Sequence, residues 1–197
     1  TREIQETQRA IGGFATAIHS GAIAPQRSER FRNLLLVGIG GSALGPRLAL
    51  EALRAEADGP QVRFIANIDA AEFDDAVRDF DPEATLVVVA SKTFTTQETM
   101  VNAASARQWL EAAIGREGIA KHVVAATANY DESGKWGLPD CNVFPFAEWV
   151  GGRFSLWSSV GLPVALGVGM HRFEQLLAGA HAVDLEFRSS PFEHNVP

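Results

Sequence analysis

Two short runs of branched apolar residues, Leu34-Leu35-Leu36-Val37 and Leu86-Val87-Val88-Val89, constrain this chain most. Side chains on a strand alternate between its two faces, so an unbroken apolar run fits a strand covered on both sides. Each run passes straight into a turn rich in Gly, Ser or Thr. The first turn is Gly38-Ile39-Gly40-Gly41-Ser42, and the second is Ser91-Lys92-Thr93-Phe94-Thr95-Thr96. A helical pattern follows each turn. Strand, turn and helix in that order build an open parallel sheet, and in such sheets ligands collect at the carboxyl ends of the strands.

The same alternation continues along the chain. Apolar spacing predicts a helix over 2–19, with Gly21 as its stop and a connecting loop over 22–32. Strands are expected at Asn33–Val37, Val62–Ala66, Ala84–Ala90 and His122–Ala126, with a short one at Asn142–Phe146. Helices are expected at Ala43–Ala57, Ala70–Asp79 and Thr96–Ile114, the last ended by Gly115. Asp69 reads as the cap of the second. The expected fold is α/β, a three-layer sandwich around a parallel sheet of about five strands. Beyond it, Leu156 to Val168 reads as an apolar helix kinked by Pro163. Phe173, Leu176, Leu177, Ala180, Val183 and Phe187 mark one face of another helix.

With 197 residues the chain is long enough for one to one and a half domains. A net charge of −7 and the absence of any Lys/Arg run argue against a nucleic-acid partner. The single Cys141 excludes an internal disulfide and fits a reducing compartment. No apolar run approaches a membrane span, and no leader-like segment is visible. Thr1 rather than Met opens the sequence, and the polar stretch ending at Pro197 carries no stop signal, so both ends read as cut.

A third loop has the character of the first two. Glu148-Trp149-Val150-Gly151-Gly152-Arg153-Phe154-Ser155 delivers a fixed cation on a tight turn before an apolar run. Only 17 residues are Lys or Arg, so a guanidinium in a glycine turn stands out. The plainer alternative is an Arg that braces a loop. Glu148 is expected to support the turn or to pair with Arg153. The first loop also fits a dinucleotide fingerprint, Gly38-x-Gly40-x-x-Ala43, but the required acid is misplaced: Asp58 precedes the second strand and Asp69 lies well past it. A P-loop fails because Pro46-Arg47 follows Gly45. In the second loop Thr95-x-x-Glu98 is a capping box that would occupy Thr95 locally, leaving the other hydroxyls unexplained. Crowded short donors at a helix start suit a phosphate dianion. His19, His122, His171, His181 and His194 have no metal-ligand spacing. Trp109, Trp136, Trp149 and Trp157 read as packing residues.

Taken together, these segments resemble the phosphoglucose isomerase family. The resemblance is carried by Val37-Gly38-Ile39-Gly40-Gly41-Ser42-Ala43-Leu44-Gly45-Pro46, by Ser91 to Thr99, and by Trp149 to Ser158. Leu177-Ala178-Gly179-Ala180-His181, with Asp184 and Phe187, adds a fourth segment. It implies a sugar-isomerase (SIS) domain with flavodoxin-like strand order. It also implies isomerisation of glucose 6-phosphate and fructose 6-phosphate in glycolysis and gluconeogenesis, without metal, nucleotide or other cofactor. Family members are longer, are homodimers and are cytoplasmic, and the chain reads as the front part of such an enzyme. The implied divisions are 1–32 as helix and connecting loop, 33–153 as the SIS-type sugar-phosphate-binding domain, and 154–197 as a helical segment leading towards a second domain.

Residue by residue, the resemblance makes Arg153 catalytic, as the cation that stabilises an enediolate. It makes Gly41, Ser42, Ser91, Lys92, Thr93, Thr95 and Thr96 substrate-binding, with Lys92 acting through its field and backbone N–H. His181 matches a family position expected to be structural. The family's proton-shuttling Glu, ring-opening His and a further Lys fall outside the matched segments. The runner-up reading is a non-catalytic phosphosugar-binding SIS module. A nucleotide-dependent oxidoreductase rests only on the weak glycine fingerprint.

Overall fold

The two apolar runs become neighbouring central strands. In the computed structural model, which describes residues 2–195, β1 (Asn33–Val37) pairs in parallel with β3 (Thr85–Ala90), Leu34 opposite Leu86 and Val37 opposite Val89. β2 (Gln61–Ile65) lies outside β1, and β4 (Val123–Thr127) and β5 (Val143–Pro145) lie beyond β3. The parallel order is therefore β2-β1-β3-β4-β5, flavodoxin-like as expected. The helices are α1 (Arg2–Ser20), α2 (Gly41–Ala52), α3 (Ala70–Val77), α4 (Gln97–Ile114), α5 (Ile119–His122), α6 (Tyr130–Lys135), α7 (Leu162–Val168) and α8 (Met170–Ser189).

Alternate residues of the central strands feed two separate cores. Leu34, Leu36, Leu86 and Val88 pack with Ile11 and Ala15 of α1, Ala49 of α2 and Val164 and Leu166 of α7. Leu35, Val37, Val87 and Val89 pack with Ala76 of α3 and Ala103, Ala106 and Leu110 of α4. This is the three-layer αβα sandwich. It explains why β1 and β3 are buried at every position. It also has a topological consequence. The connection after β1 turns to one face of the sheet and that after β3 to the other, so a crevice opens between their carboxyl ends.

Several local expectations need correcting. α2 stops at Ala52 and continues as a 3₁₀ turn over Arg54–Glu56 rather than reaching Ala57. The segment 156–168 is not one kinked helix. It is a 3₁₀ stretch over Gly152–Trp157, another over Ser159–Gly161, and then α7. Pro163 sits in the first turn of α7, where its missing N–H has no intrahelical partner to lose, so it starts the helix instead of bending it. α7 is buried throughout, and Leu156, Val160 and Leu162 join the α1-side core. In α8 only Phe173 is fully buried. Val183 and Phe187, on the apolar face marked out in the sequence, are 52% and 60% exposed. As expected, Gly115 ends α4 at a φ of 75°, and Asp69 caps α3 through Oδ1, which accepts from the Ala71 N–H at 2.9 Å.

Candidate active site

The loop after β1 is shaped by crowding. Gly38 donates its N–H to Ile65 O at 3.2 Å, and a Cβ there would stand 2.9 Å from Ala90 O. Only a residue without a side chain fits between β1 and β3 at that level. Gly40, at φ 57°, turns the chain into α2, whose first residues are Gly41 and Ser42. Both are half-buried at the crevice. No side chain among the described residues caps this helix start.

The loop after β3 is held more tightly. Ser91 is 3% exposed, and its Oγ accepts from the Phe94 N–H at 3.1 Å. Phe94 has a φ of 54°, a left-handed conformation that a bulky residue adopts only when its surroundings impose it. Its ring is buried and meets Trp136 edge-on. Thr93 Oγ1 accepts from the Thr95 N–H at 3.3 Å. Lys92, Thr93, Thr95 and Thr96 are all exposed. The expected Thr95–Glu98 capping box does not form. The helix begins at Gln97 with Thr96 as its N-cap, one residue later than the box requires, and the Thr96 side chain makes no capping bond. The first turn of α4 therefore has its positive dipole end and its N–H groups without a side-chain acceptor at the crevice.

The third loop follows β5 and touches both others. Val150 is buried and pins its centre, while Gly151, Gly152 and Arg153 are exposed. A Cβ on Gly41 would fall 2.2 Å from Gly152 O, so the first and third loops are in backbone contact. Ser155 Oγ reinforces the junction, within 2.7 Å of Gly152 O and 3.2 Å of Gly41 O. Lys92 Nζ donates to Val150 O at 3.3 Å and ties the second loop to the third. The Lys92 ammonium thus spans two loops.

Among the described residues Arg153 has no carboxylate partner. Of the two roles expected of Glu148, the pairing with Arg153 is absent, and the guanidinium lies 5.2 Å from the Phe154 ring centre. That leaves a permanent cation on the rim of the crevice, undiminished by a neighbouring acid. Trp149 is 72% exposed and Trp157 41%, so these two indoles are not the packing residues expected of them; Trp109 and Trp136 do pack against the α4-side core. Ser155 carries the junction yet escaped the sequence reading. Its only signal was its place two residues after Arg153, and its partner Gly41 lies 114 residues away. Among the described residues no group of three or more His, Cys, Asp or Glu side chains is placed to hold a metal ion, and no helix is long and apolar enough to cross a membrane.

Three comparisons bear on this arrangement. A family model described as phosphoglucose isomerase matches residues 1–197. The glucose-6-phosphate isomerase of Caulobacter vibrioides is 48% identical over 195 residues, which cover 99% of this chain and 36% of that protein. The crystal structure of a glucose-6-phosphate isomerase from Chlamydia trachomatis matches with a TM-score of 0.80 at 30% identity, over 95% of this chain and 34% of that one. The sugar isomerase domain of an RpiR transcription factor from Sphaerobacter thermophilus, at a TM-score of 0.52 and 18% identity, shares the fold alone. The chain spans about a third of the length of the curated relatives it matches.

Proposed function

This chain belongs to the phosphoglucose isomerase family, and we propose that it forms the phosphate-gripping, cation-bearing part of an enzyme that interconverts glucose 6-phosphate and fructose 6-phosphate. The observation that carries this reading is the position of the third loop. It rests on Gly41 through Gly152 and on Lys92 through Val150, which sets Arg153 on the rim of the crevice that the other two loops enclose.

A sugar phosphate fits that crevice with its two ends in different surroundings. The phosphate dianion needs many donors, and the second loop supplies the exposed hydroxyls of Thr93, Thr95 and Thr96 beside the uncapped start of α4. Ser91 acts from beneath, holding the turn through Phe94. Gly41 lets backbone approach the ligand, and Ser42 offers a hydroxyl. Moving a carbonyl between C1 and C2 passes through an enediolate whose oxygen gains negative charge. Arg153 stabilises that charge more than it stabilises the neutral carbonyl, and such a difference is what accelerates a reaction. The C2 proton also needs a general base. In this reading the base comes from the further length that the relatives have. The enzyme works in the cytoplasm as a homodimer, within glycolysis and gluconeogenesis, and has no nucleic-acid partner.

The test is Arg153→Ala in the full-length protein, measured by a coupled assay with fructose 6-phosphate and by direct binding of the same sugar. Turnover should fall by about 10²–10³-fold, as on loss of one oxyanion donor, while binding weakens less than tenfold. Turnover that survives the substitution would sink the catalytic role. Absence of turnover in the parent itself, with binding intact, would leave a phosphosugar-binding module.

A further inference from the structure

The strained loop after β3 does not hold its shape alone, and what braces it comes from β4. Thr127, the last residue of β4, is fully buried, and its Oγ1 donates to Lys92 O at 3.2 Å. The Ala128 N–H reaches the same carbonyl at 3.1 Å. Thr127 Oγ1 in turn accepts from the Asn129 N–H at 3.0 Å. The Asn129 side chain works in two directions: Nδ2 donates to Thr93 O at 3.1 Å, and Oδ1 accepts from the Glu132 N–H at 3.2 Å, capping α6.

Two successive carbonyls of the anion loop are therefore fixed from one side. A peptide group is planar and trans, so its N–H points opposite to its C=O. Holding Lys92 O towards Thr127 turns the Thr93 N–H away from β4. Holding Thr93 O towards Asn129 fixes the next peptide, whose N–H belongs to Phe94 and is engaged by Ser91 Oγ. Together these bonds impose the left-handed turn at Phe94 and aim the start of α4.

The geometry points to Thr127 and Asn129 as positioning residues for the phosphate end of the substrate. This inference rests on the function proposed above. Neither side chain touches the substrate in it; each acts by orienting the peptides of residues 92–94, which turns the Thr93 N–H away from β4 to receive an anion. A purely structural role as the α6 cap is the competing account for Asn129, and the two can be separated. Serine is as good an N-cap as asparagine but cannot reach Thr93 O.

The experiment compares Thr127→Val, Thr127→Ser and Asn129→Ser in the full-length protein. Binding of fructose 6-phosphate is followed by calorimetry, kcat and KM by a coupled assay, and amide exchange over residues 91–97 by mass spectrometry. Loss of one such hydrogen bond should weaken binding about fivefold. Asn129→Ser and Thr127→Val should show that loss in Kd and KM with a smaller change in kcat, together with faster exchange over 91–97 in the unliganded protein. Thr127→Ser, which keeps the hydroxyl, should bind as the unsubstituted protein does. Unchanged affinity and unchanged exchange in Asn129→Ser and Thr127→Val would overturn the positioning role. If the unsubstituted protein fails to bind the sugar phosphate, the proposed function falls, and the exchange rates alone still decide whether Thr127 and Asn129 hold the loop.

Discussion

Gly41 and Gly152 meet backbone to backbone, although 110 residues separate them in the chain, and the contact is one-sided. A Cβ on Gly41 would strike Gly152 O at 2.2 Å, whereas a Cβ on Gly152 would meet nothing within 4 Å. The absent side chain at Gly41 is what lets the Arg153 turn lie on the first loop.

That asymmetry predicts unequal effects from the same substitution. Gly41→Ala forces the two loops apart and should destabilise the protein by about 1–3 kcal/mol, the usual range for overpacking, with a fall in kcat/KM of the full-length enzyme. Gly152→Ala should change stability by less than about 0.5 kcal/mol. Urea unfolding of both variants measures it, and equal losses would contradict the contact.

Ser155 tests the same junction from the other side. Its buried hydroxyl lies within reach of Gly152 O and Gly41 O. Ser155→Ala should remove about 1 kcal/mol of stability and lower turnover more than it weakens phosphate binding, because the Arg153 turn is loosened while the second loop is untouched. Calorimetric Kd for inorganic phosphate alongside kcat separates the two.

His122 gives the fold a pH dependence of known sign. Its Nε2 accepts from the Gln26 N–H at 3.1 Å, so the ring proton sits on Nδ1, which donates to Thr85 O at 2.8 Å. Burial lowers its pKa from the ordinary 6.5, helped by Lys121 and opposed by the Thr85 bond and Glu83. A base with a depressed folded pKa binds its proton more readily when unfolded, so stability is lost as pH falls through 6.5 and on to the lower folded value. Unfolding free energy measured at pH 7.5 and pH 5.5 should drop in the unsubstituted protein. His122→Gln should be weaker at pH 7.5 but show a flatter profile. Parallel profiles would assign the slope to other groups.

α8 offers a contrast within one helix. Phe173 is 1% exposed and lies under Gly161, while Phe187 is 60% exposed. Phe173→Ala should destabilise by about 3–5 kcal/mol and Phe187→Ala, in this chain, by less than about 0.5 kcal/mol. Thermal unfolding of the two variants checks the difference.

The sheet was legible in the sequence because burial on both faces leaves a local mark: Leu34–Val37 and Leu86–Val89 are apolar without alternation. The crevice followed from the same pattern, since each run ends in a turn of small residues. Features set by distant partners left no such mark. The 3₁₀ turns over 152–161 are imposed by packing against α2 and the sheet, and an apolar run there looks like any helix. The capping register at Thr96 depends on the Phe94 turn, which Ser91, Thr127 and Asn129 hold through hydrogen bonds. Trp149 and Trp157 are exposed where packing is expected, because hydrophobicity predicts burial on average but not at each position. Nothing near Arg153 in sequence could reveal that no ion pair forms with Glu148.

The placement of α1 carries a consequence for how the protein is made. α1 packs against α7 and β5: the Phe14 ring meets Phe144 at 5.0 Å, and His19 Nε2 bonds Leu166 O, 147 residues further on. α1 thus has no docking place on α7 until Leu166 has emerged. At ordinary translation speeds that delay is about 7–30 s. During that interval Ile11, Ala15 and Ile18 stay uncovered, and the α1-side core can close only after β1, β3 and β4 have assembled. A nascent chain stalled before residue 166 would therefore present that apolar stripe to chaperones, and one extended past α7 would withdraw it.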